Sequence, residues 1–170
     1  QVVKSGRKWD AGAIRRSAYI GKVERMFLGQ FEHNLDNKGR LMMPARFREL
    51  LETGAYLTQG FDNNLTVLTA ASFEAMYRAV NEMSLTDPRT RLLRRLLFSN
   101  AVRVEFDKTG RVLIPPFLRD AANLRETVMV IGVGDSIEIW SKEAWAAQEA
   151  QIQDPDFKMD GFAALNLPVH

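Results

Sequence analysis

The chain has 170 residues, 46% of them hydrophobic, and a formal net charge of +2 at pH 7, which is enough apolar material for one domain or two small ones. It contains no cysteine, which excludes disulfides and thiolate metal sites. It also has no apolar run long enough to span a bilayer or to form a signal-peptide core, so a soluble, cytoplasmic protein without a membrane partner is expected.

The near-neutral total hides an uneven distribution. Residues 1–25 hold seven basic side chains (Lys4, Arg7, Lys8, Arg15, Arg16, Lys22, Arg25) against Asp10 and Glu24, so the remainder is net acidic. Overall basicity therefore argues nothing about nucleic acid, and basic residues count only by their position. Residues 1–25 carry neither a helical nor an alternating period. They read as a disordered basic extension or as sequence upstream of a native start at Met26.

From Phe31 onward, Phe31, His33 and Leu35 alternate with polar residues, the period of a half-buried strand. Asn37-Lys38-Gly39 then interrupts, and Leu41 and Met43 resume the alternation. Two such runs around a short glycine-containing loop predict a β-hairpin. Gly39 supplies a left-handed residue at little strain, and the Asp36 carboxylate suits the start of the turn by accepting loop N–H groups. Pro44 ends the strand and opens a short helix through Leu50. Strands are expected over 55–58 and 65–68, separated by the turn cluster Gly60-Phe61-Asp62-Asn63-Asn64. A helix is expected from about Ser72 to Met83. Asp87-Pro88 marks the start of another, with Leu92, Leu93, Leu96 and Leu97 on one side and Arg91, Arg94 and Arg95 on the other.

The second half repeats the first. Asp107-Lys108-Thr109-Gly110-Arg111 lies over Asp36-Asn37-Lys38-Gly39-Arg40, and at the same offset Pro115 falls on Pro44 and Arg119 on Arg48. One residue further out of register, Gly132 falls on Gly60, Ile137 on Leu65 and Trp145 on Phe73. The chain is thus one supersecondary unit written twice. Val102, Val104 and Phe106 form the entering strand, and Val112 and Ile114 the leaving one. A strand over 128–131, a turn at Gly132-Val133-Gly134-Asp135 and a strand over 137–140 follow. Ser141 caps a helix to about Ile152, with Glu143 well placed in its first turn. Beyond Asp154, Pro, Asp and Gly predict a loose tail.

The sequence offers little for catalysis. There are two histidines, far from any metal-ligand spacing, and no phosphate-binding glycine loop; no cofactor and no metal are expected. What stands out is a doubled display of cationic turns: Lys38 and Arg40, Lys108 and Arg111. Arginine and lysine there suit phosphate neutralisation and base readout in a major groove, which admits a two-stranded ribbon. The pairs Asp36–Arg40 and Asp107–Arg111 would equally serve as turn staples with no ligand. The residues alone leave both readings open. The arginine face of the helix after Pro88 reads first as a solvated or ion-paired surface.

The doubled D-x-x-G-R…P turns, with their spacing and the Met26-Phe27-Leu28-Gly29 opening, resemble the MraZ family of bacterial transcriptional regulators, which carry two tandem SpoVT–AbrB-type units. The resemblance covers about 26–152. It implies an α+β, β-rich fold of two hairpin and short-helix units packed as an intramolecular pseudo-dimer, a swapped-hairpin-type barrel, plus helices. The expected division is an extension (1–25), unit one (26–83), a linking Leu/Arg-rich helix (84–100), unit two (101–152) and a tail (153–170). The resemblance further implies a nucleoid-associated regulator that binds double-stranded DNA at direct repeats in the promoter of the division and cell-wall operon, assembled as a ring-like homo-oligomer. Lys38, Arg40, Lys108 and Arg111 would contact DNA, and Asp36, Gly39, Asp107 and Gly110 would shape the turns. The same scaffold could instead serve as an antitoxin-like protein-interaction module.

Overall fold

The computed structural model describes residues 25–165; the expected extension over 1–25 lies almost wholly outside them. The described chain is mixed α+β and rich in strands. Its first half runs β1 (Phe27–Asn34), β2 (Arg40–Met42), α1 (Ala45–Leu50), β3 (Ala55–Gln59), β4 (Leu65–Thr69) and α2 (Ala70–Asn81). Helix α3 (Pro88–Arg94) follows and continues into a wider π-helical turn over Arg95–Ser99. The second half repeats the order as β5 (Val102–Arg103), β6 (Arg111–Leu113), α4 (Pro116–Ala121), β7 (Thr127–Gly134), β8 (Ser136–Ser141) and α5 (Lys142–Ile152). A last helix, α6 (Pro155–Ala164), closes the described chain.

Helix starts follow from side chains that satisfy otherwise orphaned N–H groups. Thr69 Oγ1 accepts from Ser72 N at 3.1 Å, Asp87 Oδ1 from Arg89 N at 2.8 Å, and Ser141 Oγ from Ala144 N at 3.2 Å. The same device corrects the expected loose tail: Asp154 Oδ1 accepts from Asp156 N and Phe157 N at 2.9 and 3.0 Å. With Pro155 in the first turn, α6 forms where the composition suggested irregular chain.

The strands form a six-stranded antiparallel sheet in the order β1-β7-β8-β4-β3-β5 and a two-stranded ribbon of β2 and β6. Exchanging equivalent strands of the two halves leaves that order unchanged, so the repeat has become an internal pseudo-twofold. The expected local hairpins are correspondingly short. Each loop closes through one bridge, Leu35 with Leu41 and Phe106 with Val112. Past the bridge, β2 turns to β6, pairing Arg40 with Leu113, Leu41 with Val112 and Met42 with Arg111. A single hairpin buries too little; pairing across the halves puts both sets of apolar residues into one core.

The entering strand crosses over as well, β1 pairing β7 along eight residue pairs. This explains a second difference, since Gly132-Val133-Gly134 is not a turn but the end of β7. A Cβ on Gly132 would lie 2.4 Å from the Phe27 carbonyl carbon, so glycine is what lets β1 lie so close. The core is made of matching residues from both halves: Leu41 and Val112, Met43 and Ile114, Phe47 and Leu118, Leu51 and Ala122 are all buried. Each large side chain of this kind stabilises the fold by about 1.5–3 kcal/mol relative to exposure. Phe27 and Phe31 both meet Phe47 edge-on, with ring centroids 5.3 Å apart, which fastens β1 over α1.

Candidate nucleic-acid interface

The two D-x-x-G-R turns are built alike from their own backbone. Asp36 O accepts from Gly39 N at 2.9 Å, and Asp107 O from Gly110 N at 3.0 Å. Gly39 and Gly110 have φ of 75° and 84°, the left-handed region that other residues enter at a cost. Asp36 Oδ1 caps the first loop, accepting from Lys38 N and Arg40 N at 2.9 Å each. Asp107 Oδ1 accepts from Thr109 N at 2.9 Å, Thr109 Oγ1 at 2.8 Å and Arg111 N at 3.0 Å.

The second oxygen of each carboxylate takes the arginine. Arg40 Nε donates to Asp36 Oδ2 at 2.7 Å, and Arg111 Nε to Asp107 Oδ2 at 2.8 Å. Because β2 and β6 pair antiparallel, Arg40 and Arg111 lie diagonally on one face of the ribbon and each reaches the other turn's aspartate, so the pairs cross-link. Arg111 Nη1 lies 3.5 Å from Asp36 Oδ2, and Arg40 Nη1 lies 3.6 Å from Asp107 Oδ2. The four side chains form one alternating ring, each with roughly a quarter to a third of its surface exposed.

This electrostatic setting fixes the protonation states. Hydrogen bonding from the Arg40 main-chain N–H, reinforced by its side chain, holds the Asp36 carboxyl below the usual carboxylate range against the opposing effect of desolvation. The Arg111 N–H is the main cause of the larger depression at Asp107, with Thr109 adding to it. Hydrogen bonds to the ionised form are the reason, so both carboxylates are ionised at neutral pH and balance the two guanidiniums.

All eight residues singled out by the sequence are therefore brought to one place, though not all in the same condition. Lys38 and Lys108 are exposed and, among the described residues, in no ion pair. Arg40 and Arg111 are half-buried, with Nε and Nη1 turned to carboxylates. Two residues that the motif reading gave no role also reach the turns. Arg119, on α4, lies against Gly39, and Arg48, on α1, against Gly110, each within 3 Å of where a Cβ would sit. Their correspondence in the repeat was the available signal. Two arginines of α3 serve the structure locally: Arg91 Nη1 donates to the Leu85 and Thr86 carbonyls at 2.9 and 3.1 Å, and Arg94 Nη1 donates to Asn81 Oδ1.

Among the described residues no group of histidine, cysteine and carboxylate side chains could hold a metal ion, and no helix is long and apolar enough to cross a membrane. Comparison with known proteins finds a match to the family described as "MraZ protein, putative antitoxin-like" twice along the chain, over residues 26–96 and 97–165. The chain is 47% identical over 123 residues to "Transcriptional regulator MraZ" of Thermomicrobium roseum, covering 72% of this chain and 87% of that protein. It is 46% identical to the protein of the same name from Dictyoglomus turgidum, over 71% of this chain and 82% of the relative. The Leuconostoc mesenteroides counterpart is 40% identical, with 76% and 90% covered.

Proposed function

The chain belongs to the MraZ family, and we propose that, as a transcription regulator, it works by binding double-stranded DNA in a sequence-specific manner through the paired turns. The observation that carries the reading is the β2–β6 ribbon, which sets Arg40 and Arg111 of the two halves on its one outward face, with the exposed Lys38 and Lys108 in the loops leading into its two strands. A two-stranded ribbon matches the width of a major groove. The exposed lysines supply the phosphate attraction, and the ion-pair ring holds the arginines in fixed orientation with Nη2, unpaired among the described residues, left for an acceptor. Asp36 and Asp107 orient the arginines without touching an anion. On this reading the exchanged strands make the two units a swapped-hairpin-type barrel that presents both tips together.

The biological target is the promoter of the division and cell-wall operon, read at short direct repeats, with the protein acting at the nucleoid. Repeated sites call for repeated subunits, and a closed homo-oligomer fits the apolar residues left uncovered on and before α3, Leu85 and Leu92, which are 56% and 63% exposed. Ring closure joins unlike surfaces of neighbouring subunits. A second reading, a protein-interaction module of antitoxin type, is favoured by α6, whose Phe157, Met159 and Phe162 are exposed. The deciding experiment is competition binding of the chain's own upstream promoter DNA against the same DNA with the repeats scrambled. Preference for the intact repeats supports the regulator; equal binding of both fragments, or none, removes it and leaves the interaction module.

A further inference from the structure

Arg48 and Arg119 present an unsolved accounting problem. The Nε of each is buried with no hydrogen-bond partner, and an unpaired buried donor is unfavourable and calls for a reason. That both copies of the repeat carry the same defect makes it a designed feature of the fold rather than an accident of one helix. Neither guanidinium is in an ion pair among the described residues.

What the two side chains do share is where they end. Arg48 belongs to the first half, yet its Nη1, Cζ and Cδ stand 2.1, 2.6 and 2.9 Å from the position of a Cβ on Gly110, in the second. Arg119 belongs to the second half, and its Cζ, Nε and Nη1 stand 2.7, 2.8 and 3.0 Å from the corresponding position on Gly39. Each side chain fills the space that the absent glycine side chain leaves. The main chain repeats this crossing, for Met43 N donates to Gly110 O at 3.2 Å and Ile114 N to Gly39 O at 3.0 Å. Each turn is thus held from inside by its own aspartate and from outside by the other half.

We propose that Arg48 and Arg119 are positioning residues acting crosswise: Arg48 sets the turn that aims Arg111, and Arg119 the turn that aims Arg40. Each arginine-bearing turn is then braced separately by a side chain of the other half, and neither half can present its arginine without the other. The role in DNA recognition rests on the function proposed above; the crosswise bracing itself does not.

The test is amide hydrogen exchange on the full chain with Arg48→Met and Arg119→Met, which keep an unbranched apolar stem as far as the Nε position and remove the guanidinium group beyond it. Arg48→Met should speed exchange at the Gly110 and Arg111 amides about tenfold, as expected when a local contact opens, while Gly39 and Arg40 keep their rates. Arg119→Met should do the reverse, and amides of β7 serve as the control for intact folding. A change at the turn of the same half, at both turns equally or at neither overturns the proposal. In promoter-DNA binding, Arg48→Met should weaken affinity about fivefold, the scale of coupled neighbours. That loss should vanish in an Arg111→Ala background and persist in an Arg40→Ala background. If the crossed exchange pattern holds while the wild-type chain ignores DNA, the bracing stands and the DNA-binding reading falls.

Discussion

Gly132→Ala tests the exchange of strands between the two halves. In β7 the added methyl would lie 2.4 Å from the Phe27 carbonyl carbon, 2.5 Å from Leu28 N and 2.6 Å from Phe27 O. Because the obstacle is main chain rather than the end of a flexible side chain, β1 must retreat by about 1 Å to reach ordinary contact distance. That movement strains the pairing of Gly29 with Gly132 and loosens Phe27, which is 1% exposed and packed on Phe47. Overpacking of this kind costs about 1–3 kcal/mol, and the rigidity of the obstacle places this case at the upper end. At about 2–4 °C per kcal/mol for a chain of this size, the unfolding midpoint should fall by roughly 5–10 °C. Thermal and urea unfolding measure it, with Gly161→Ala as the control, because nothing lies within 4 Å of a methyl there. Equal stability of both variants would refute the close crossing of β1 over β7.

Acid should act through the ion-pair ring. The carboxyl pKa values of Asp36 and Asp107 are depressed in the folded chain, so their stabilisation is complete above the unfolded value of about 4 and is lost as pH falls through the folded values; Asp107→Asn should flatten the acid limb of a stability–pH curve. Burial lowers the pKa of His33, so its contribution is present above about pH 6.5 and declines as pH falls through the folded value, and His33→Gln should remove that shallow step. Ser141→Ala removes the acceptor for Ala144 N and should destabilise the chain by about 1 kcal/mol in urea titration, without changing DNA affinity.

Much of the architecture was written in local pattern. The caps at Asp87 and Ser141 and the D-x-x-G-R turns each specify their own geometry through nearby hydrogen bonds, the prolines after β2 and β6 through their fixed φ, and the structure has them in place. What local pattern could not reveal was partnership. Alternation says that Leu41 and Val112 face a core, but not that they face the same one through β2 and β6. Gly132 and Gly134 carry a turn composition, yet the approach of β1, a hundred residues earlier in the chain, makes that segment a strand. The helix of the tail is hidden for a different reason: Asp154-Pro155 gives the same start signal as Asp87-Pro88, but the following Asp160 and Gly161 mask it. At the tips, the Asp36–Arg40 pair was legible from spacing, whereas its link to Arg111 and the placement of Arg48 on Gly110 depend on tertiary pairing.

The central claim is that Arg40 and Arg111, held together by the ring, meet DNA. The most direct test is the salt dependence of promoter-DNA affinity for wild type, Arg40→Ala and Arg111→Ala, with unfolding curves to show that each variant folds. Phosphate contact by either arginine predicts weaker binding and a log–log salt slope shallower by about one. Base contact predicts an unchanged slope and a loss of roughly 1–3 kcal/mol of discrimination at one base position. The two variants should match, since the tips are copies. Folded variants that both bind with wild-type affinity, slope and specificity would contradict the claim and leave the ring as a structural staple.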